Sequence, residues 1–246
     1  MCQKCGSPSA DHRSELPRRN FLKLAGAAAF GIAFADHVLA AANEAPPKPR
    51  NVISPDAALA RLMKGNERYV KGLMKRHDFF NERPALSLGQ NPFAGILSCA
   101  DSRVAPEYAF DTGRGDVFVC RVAGNFANAD TVASFEYAVA VLGTPLILVL
   151  GHSKCGALEA TVKAVKDGEK FSGHIPSLIT ALRPAVKTAM DESGDLLENA
   201  IKQNVLRTVE KLKGAGPILS KAVEKGTLRV AGGVYDLHTG RVGIMA

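Results

Sequence analysis

Hydrophobic residues fall along this chain in two alternating patterns. Short runs of consecutive apolar residues, which are typical of strands buried on both faces of a sheet, occupy residues 93–98, 116–122 and 145–150. Between and after these runs, apolar positions recur at helical spacing. The helices predicted from this spacing are 129–142, 156–165, 175–190, 195–213 and 217–225. Strands that alternate with helices in this way predict an α/β fold with a mainly parallel central sheet flanked by helices.

The two ends of this region carry different patterns. Ser54 and Pro55 are typical of the cap and the first position of a helix, and the apolar spacing after them predicts an N-terminal helical arm that reaches about Leu73. At the other end, residues 228–245 predict a C-terminal β-hairpin that turns near 238–240. We expect the arm to pack either on its own core or on a partner chain.

The first 42 residues have the composition of a targeting segment. Arg18 and Arg19 precede an apolar stretch rich in alanine and glycine at 24–34, and small residues suited to cleavage follow at 39–42. This order of positive, apolar and small residues is typical of a secretory signal peptide, and the paired arginines followed by Phe-Leu-Lys resemble a bacterial twin-arginine signal. The alternative is an N-terminal amphipathic helix.

The sequence therefore predicts three parts: a signal peptide at 1–42, a proline-rich linker at 43–53 and a catalytic domain at 54–246. A twin-arginine signal implies that the folded protein is exported, to the periplasm or otherwise beyond the bacterial cytoplasm. We expect no stable membrane span after removal of the signal. The 246 residues carry a formal net charge of +7, but no basic run is interleaved with aromatic residues, so nucleic acid is not an expected partner.

The five cysteines divide into three groups. Cys2 and Cys5 form a C-x-x-C pair inside the predicted signal peptide, with no second ligand pair at a spacing suited to a metal. Cys120 lies within an apolar run and is expected to be a small core residue. Cys99 and Cys155 remain, and in an exported protein they are candidates either for a disulfide or for metal ligands.

The residues beside these two cysteines favour the metal. Cys99 ends one predicted strand, and His152 follows another, three residues before Cys155. Because α/β sheets bind ligands beyond the carboxyl ends of their parallel strands, we expect the three side chains to meet there. Two thiolates and one imidazole suit Zn²⁺ and leave its fourth tetrahedral position open, as in catalytic zinc sites.

Asp101 and Arg103 share one side of an extended segment with Cys99, because the three residues are spaced two apart. Asp101 can accept a hydrogen bond from a zinc-bound hydroxide and orient it toward a substrate. Arg103 would keep that carboxylate ionised and hold it off the metal. The alternative is a surface ion pair worth about 0–1 kcal/mol. The candidate metal ligand beside the pair favours the catalytic interpretation.

Five segments together resemble a β-class carbonic anhydrase with a plant-type active site. They are CADSRV (99–104), RVAGN (121–125), EYAV (136–139), GHSKCGA (151–157) and VYDLHTG (234–240). The resemblance extends from about residue 54 to the C-terminus in one register. It implies that Cys99, His152 and Cys155 hold a zinc ion and that Asp101 and Arg103 form the catalytic pair. The implied reaction is the reversible hydration of carbon dioxide to bicarbonate and a proton by zinc-bound hydroxide.

The same resemblance implies a small substrate pocket. Gln90 matches a glutamine that binds an oxygen of carbon dioxide or bicarbonate, and Phe118 and Tyr137 match the aromatic walls. The backbone amide of Gly156 matches a group near the bound anion, and Ala123 stands where the plant-type pocket has a valine. Sites of this family are built across a dimer, and the glutamine and the aromatic wall often come from the partner. The resemblance therefore implies a homodimer or a higher homo-oligomer.

Two other functions stay open on the sequence alone. Relatives of this family hydrolyse carbon disulfide or carbonyl sulfide, and Ala123 permits a somewhat larger substrate of that kind. A non-catalytic zinc-binding protein is the other alternative, and it requires a fourth protein ligand, which Asp101 can supply. Because Gln90 groups the chain with the open subtype, we expect the open form near neutral pH.

Overall fold

The computed structural model describes residues 53–245. The predicted signal peptide at 1–42, the linker up to residue 52 and the last residue lie outside this range, so the division into three parts stays a prediction. Among the described residues, no helix is both long enough and apolar enough to span a membrane.

A five-stranded sheet forms the centre of the fold. Its strands are β1 (Ala94–Ser98), β2 (Val117–Arg121), β3 (Leu146–His152), β4 (Arg229–Tyr235) and β5 (Val242–Ile244). They lie in the order β2-β1-β3-β4-β5, in which the first four strands are parallel and β5 runs antiparallel to β4. The three strands predicted from apolar runs are confirmed, and β4 and β5 form the predicted C-terminal hairpin.

Helices flank this sheet on both faces, which confirms the predicted α/β class. The helices of the described region are α1 (Pro55–Val70), α2 (Arg83–Ser87), α3 (Pro106–Ala109), α4 (Ala129–Ala140), α5 (Gly156–Lys166), α6 (Ile175–Ala189), α7 (Leu196–Lys213) and α8 (Ile218–Glu224). The five long helices predicted from apolar spacing are all present, with ends shifted by one or two residues. The short helices α2 and α3 were not predicted, because five residues or fewer show no helical period.

The N-terminal arm begins as its sequence predicts. The Ser54 hydroxyl accepts a hydrogen bond from the amide of Ala57 at 3.2 Å, and Pro55 is the first helical residue. The helix ends at Val70, three residues earlier than predicted, and Gly72 takes the left-handed φ of 68° that favours glycine after a helix. The buried face of α1 packs on the sheet of its own chain, so this part of the arm lies on its own core.

Alternate residues of the central strands enter two separate cores. Ile96 and Leu148 pack with α1 and α3 on one face of the sheet. Leu97 and Val149 pack with α4, α7 and α8 on the other face. All four side chains are fully buried, which explains why these strands are continuously apolar in sequence. Strands held from both sides give the residues at their carboxyl ends a rigid base.

Candidate metal centre

The three predicted metal ligands meet at the carboxyl edge of the sheet. Cys99 directly follows β1, and His152 is the last residue of the neighbouring parallel strand β3. Cys155 is the N-cap residue of α5, and Lys154 before it takes a left-handed φ of 53°. This tight turn brings Cys155 back toward His152. The ligand atoms of the three residues all lie within 4.8 Å of one another.

The state of the histidine ring fits a metal ligand. His152 is fully buried, and its Nδ1 lies 2.9 Å from the carbonyl oxygen of Ser153, to which it donates in the neutral tautomer. Its Nε2 is buried and has no hydrogen-bond partner among the described residues. A buried nitrogen without a partner is costly unless something satisfies it. A metal ion bound by the Nε2 lone pair does so, and the Nδ1–H bond fixes the required tautomer.

The two cysteines are free thiols that interact with each other. Neither is part of a disulfide, so the alternative of a Cys99–Cys155 bridge is not what the structure contains. A hydrogen bond from the Cys155 thiol to the Cys99 sulfur lowers the pKa of Cys99 below its usual range. The same hydrogen bond, together with burial and the repulsion between two adjacent buried anions, raises the pKa of Cys155. A divalent cation between the sulfurs removes that repulsion, so the donor set suits Zn²⁺.

Asp101 and Arg103 form a close pair beside these ligands. Arg103 donates from Nε to Oδ1 of Asp101 at 2.9 Å, from Nη2 to Oδ2 at 2.7 Å, and from its backbone amide to Oδ1 at 2.9 Å. These bonds hold the pKa of Asp101 well below its usual range. The Oδ2 atom lies 3.8 Å from Nε2 of His152. The pair therefore places an ionised acceptor at the metal site, as the spacing in the sequence predicts.

The carboxylate of Asp101 does not belong to the cluster of side chains that could bind a metal ion. The cluster of potential metal-binding side chains in the described region consists of Cys99, His152 and Cys155, without Asp101. Arg103 also donates to the carbonyl oxygen of Lys154 at 3.2 Å, so it bridges the two loops of the site. Among the described residues this cluster therefore offers three protein ligands, one fewer than the four of a tetrahedral zinc ion.

Two further groups hold Cys99 in place, and neither was assigned a role from the sequence. Arg121, the last residue of β2, donates from Nε to the carbonyl oxygen of Cys99 at 3.0 Å and from Nη2 to that of Asp101 at 2.7 Å. The amide of Gly124 donates to the Cys99 sulfur at 3.3 Å. Both belong to the RVAGN segment, whose match to the family was the one signal available for them.

The predicted pocket residues fall into two places. Gly156, the first residue of α5, directly follows a metal ligand, and its amide is one of those that a helix N-terminus leaves unpaired. Phe118 lies on β2 three residues before Arg121, which is about 10 Å along the strand. Its ring centroid is 6.5 Å from that of Tyr137, which is 48% exposed, and Gln90 is exposed as well.

The fold and the site together define a class of protein: an α/β metalloenzyme with a Cys₂His donor set at the edge of a parallel sheet. Comparison with known proteins gives the family. Residues 94–242 match the protein family described as carbonic anhydrase. Carbonic anhydrase 2 of Mycobacterium tuberculosis is 38% identical over 189 residues, which cover 76% of this chain and 91% of that protein.

Solved structures agree with this match. The β-carbonic anhydrase CcaA superimposes with a TM-score of 0.59 at 30% identity, and the match covers 76% of this chain and 95% of that one. A tetrameric β-carbonic anhydrase from the fungus Sordaria macrospora has a TM-score of 0.59 at 29% identity over 68% of this chain and 86% of that one. The chain belongs to the β-class carbonic anhydrase family, and its cofactor is zinc.

Proposed function

We propose that this enzyme hydrates carbon dioxide reversibly to bicarbonate and a proton, at a zinc ion held by Cys99, His152 and Cys155. The observation that carries the proposal is the convergence of three buried donor atoms within 4.8 Å, beside a carboxylate that an arginine fixes with three hydrogen bonds. A bound zinc ion supplies Lewis acidity, which lowers the pKa of water enough to provide a nucleophile near neutral pH.

Asp101 is the proton acceptor that orients the attacking water. Its pKa is held below the usual range by Arg103, so it is ionised at every pH at which the enzyme would work. The Oδ2 atom, which is the carboxylate oxygen 3.8 Å from His152 Nε2, is the one placed to accept that hydrogen bond. Arg103 positions Asp101 and, by occupying both carboxylate oxygens, keeps the side chain from swinging onto the metal.

The substrate pocket is completed by a second copy of the chain. Gly156 offers a backbone amide at a helix N-terminus beside Cys155, which suits the negative charge of bicarbonate. Phe118 lies on the edge strand β2 and its ring is close to that of Tyr137, so both could approach the metal site of a partner that covers this edge, together with the exposed Gln90. Gln90 would donate to a substrate oxygen, and the two rings would exclude water.

Exposed apolar surface supports this assembly. Eight large apolar side chains of the described region are each at least 48% exposed, which leaves apolar surface that a partner could cover. They are Leu73, Phe79, Phe80, Leu88, Tyr108, Tyr137, Val141 and Met190. The strand β2 is also an unpaired sheet edge, which proteins commonly cover. We propose a homodimer or a higher homo-oligomer, and the related enzyme from Sordaria macrospora is described as tetrameric.

Stopped-flow hydration of carbon dioxide by the zinc-loaded full chain tests the activity. We expect turnover that depends on zinc content and disappears when a chelator removes the metal. A zinc-loaded oligomer with no hydration activity at any pH would refute the proposal. Release of sulfide from carbon disulfide or carbonyl sulfide, measured on the same preparation, shows whether the larger substrates are used instead.

A mixing experiment tests the shared pocket. The Asp101→Asn variant lacks the carboxylate of the site, and the Gln90→Ala variant lacks the glutamine. If Gln90 acts across the interface, a dimer of one variant with the other contains one site that has both Asp101 and Gln90. After exchange of subunits, random pairing should restore about a quarter of the wild-type activity. If Gln90 acts within its own chain, mixing gives only the average of the two variants.

We also propose that residues 1–42 direct export to the periplasm. The support is the order of charged, apolar and small residues in the sequence, including Arg18 and Arg19. Expression of the full chain in a bacterium with a twin-arginine pathway should give a mature periplasmic protein that begins between residues 41 and 43. Replacement of both arginines by lysine should keep the protein in the cytoplasm, and an unchanged distribution would contradict the proposal.

A further inference from the structure

A buried asparagine on α7 contacts the loop that holds the Cys99 sulfur. Asn204 is 4% exposed, and its Nδ2 donates to the carbonyl oxygen of Gly124 at 2.7 Å. The amide of the same glycine donates to Sγ of Cys99 at 3.3 Å. Gly124 therefore accepts a hydrogen bond from α7, 80 residues away in sequence, and donates one to a metal ligand.

The loop between β2 and α4 needs such support because its backbone is unusual. Gly124 has a φ of 82° and the next residue, Asn125, has a φ of 40°, and both values lie in the left-handed region. A Cβ atom on Gly124 would lie 2.6 Å from Cδ1 of Leu182, so the backbone here is packed tightly against α6. A backbone held in this conformation persists only where its surroundings determine it.

A second residue of α7 holds the same loop. Lys211 donates from Nζ to the carbonyl oxygen of Ala127 at 2.7 Å. It lies seven residues after Asn204, which is about two helical turns, so both side chains leave the same face of the helix. The helix thus binds the loop at two carbonyl oxygens, and Asn204 is the one that acts on the residue donating to the metal ligand.

We propose that Asn204 is a positioning residue for the zinc site: it fixes Gly124 so that the glycine amide points at the Cys99 sulfur. An N–H donor stabilises the thiolate form of the ligand and sets how much electron density it gives to the metal. Asn204 acts through position alone, since the carbonyl that it binds and the amide that binds sulfur belong to different peptide groups. The proposal rests on the zinc site described above.

The chain offers a matched control on the same helix. Asn199 is 9% exposed, and its Nδ2 donates to the carbonyl oxygen of Ser193 at 2.9 Å. Like Asn204, it satisfies a backbone carbonyl with a buried amide, but that carbonyl has no contact with a metal ligand. Replacing either asparagine by alanine removes a comparable hydrogen bond, so the two variants separate a general loss of stability from an effect on the metal.

The experiment compares Asn204→Ala and Asn199→Ala in the full-length protein. Zinc affinity is measured by competition with a chelator, and the thiolate-to-metal absorption band is recorded after substitution by Co²⁺. We expect Asn204→Ala to bind zinc about 10- to 100-fold more weakly, as is typical when a group that orients a ligand is lost. Its band should move to lower energy, because a thiolate without the N–H bond donates more strongly. Asn199→Ala should change neither property.

Equal affinities and equal spectra in the two variants would overturn the proposal. A measurement on the wild-type protein covers the case in which Asn204→Ala does not fold. With ¹¹³Cd²⁺ in the site, the Gly124 amide proton should show scalar coupling to the metal through the Cys99 sulfur, and the lack of that coupling would also overturn the proposal. If the wild-type protein binds metal at these residues but has no hydration activity, the proposed function fails while this inference stands.

Discussion

Replacement of Asp101 by asparagine separates a catalytic carboxylate from a structural one. The side chain keeps its size, and its oxygen would stay at the Oδ1 position, where two donors of Arg103 meet it at 2.9 Å. The amide NH₂ group of asparagine would then occupy the Oδ2 position. In the wild-type protein Oδ2 accepts a hydrogen bond from Nη2 of Arg103 at 2.7 Å and lies 3.8 Å from Nε2 of His152. The substitution thus turns an acceptor at the metal site into a donor.

The size of the effect follows from the bond that is lost. A hydrogen bond to a charged group contributes about 1.5–3 kcal/mol. At about 1.4 kcal/mol for each factor of ten, kcat/KM should fall by about 10- to 150-fold. Zinc content should not change, because Asp101 does not belong to the group of potential ligands. Stopped-flow hydration measures the activity, and mass spectrometry with elemental detection measures zinc per chain.

Asp195→Asn is the control for this substitution. Asp195 caps α7 by accepting a hydrogen bond from the amide of Glu198 at 2.8 Å, and asparagine caps helices equally well. Like Asp101→Asn, the control removes one negative charge from the protein, and it should keep full activity. Two results would refute the reasoning on Asp101: activity within about threefold of the wild type, or zinc loss in proportion to the loss of activity. The second result would make Asp101 a ligand.

Three further outcomes are expected. Cys155→Ser should lose zinc, because a serine hydroxyl does not supply an anionic ligand, whereas Cys120→Ser should retain it; elemental analysis compares the two. Gly124→Ala should lower the free energy of unfolding by about 1–3 kcal/mol, measured in urea, since its φ is 82° and its Cβ would lie 2.6 Å from Leu182. Acidification to about pH 5 should leave Asp101 ionised, as carboxyl ¹³C shifts can test. The pKa of Asp101 is lower in the folded protein than in the unfolded chain, where it is about 3.9. The stability that this difference contributes is complete above the pKa of the unfolded chain and is lost only as the pH falls through the pKa of the folded protein.

The central strands and the metal ligands were predictable from sequence because each depends on local pattern. Strands buried on both faces must be continuously apolar. The apolar runs at 93–98 and 145–150 therefore predicted the ends of β1 and β3 to within two residues. Parallel neighbours bring their carboxyl ends to one edge, so Cys99 and His152 were expected to meet, and they do.

The supporting contacts of the site were not predictable in this way. Asn204 lies on a helix that was predicted with nearly correct ends, but nothing in its local pattern indicates that it binds a carbonyl 80 residues away. Arg121 was one residue of a matched segment, and its bonds to two backbone carbonyls depend on how β2 lies beside β1. Gln90, Phe118 and Tyr137 stay predictions for a different reason, because their proposed partners belong to another copy of the chain.

The order of the strands explains how one edge of the sheet can assemble the whole centre. Adjacent strands β2, β1 and β3 are parallel, so the three segments that follow them leave the sheet side by side. The middle segment supplies Cys99 and the acid–arginine pair. The end of β3 and the turn after it supply His152 and Cys155. The end of β2 and the loop after it hold Cys99 from the other side through Arg121 and Gly124. In an antiparallel arrangement the middle segment would leave at the opposite edge. Parallel pairing is therefore a requirement of the site itself, and the continuous apolar runs that produce it are part of the functional signal in the sequence.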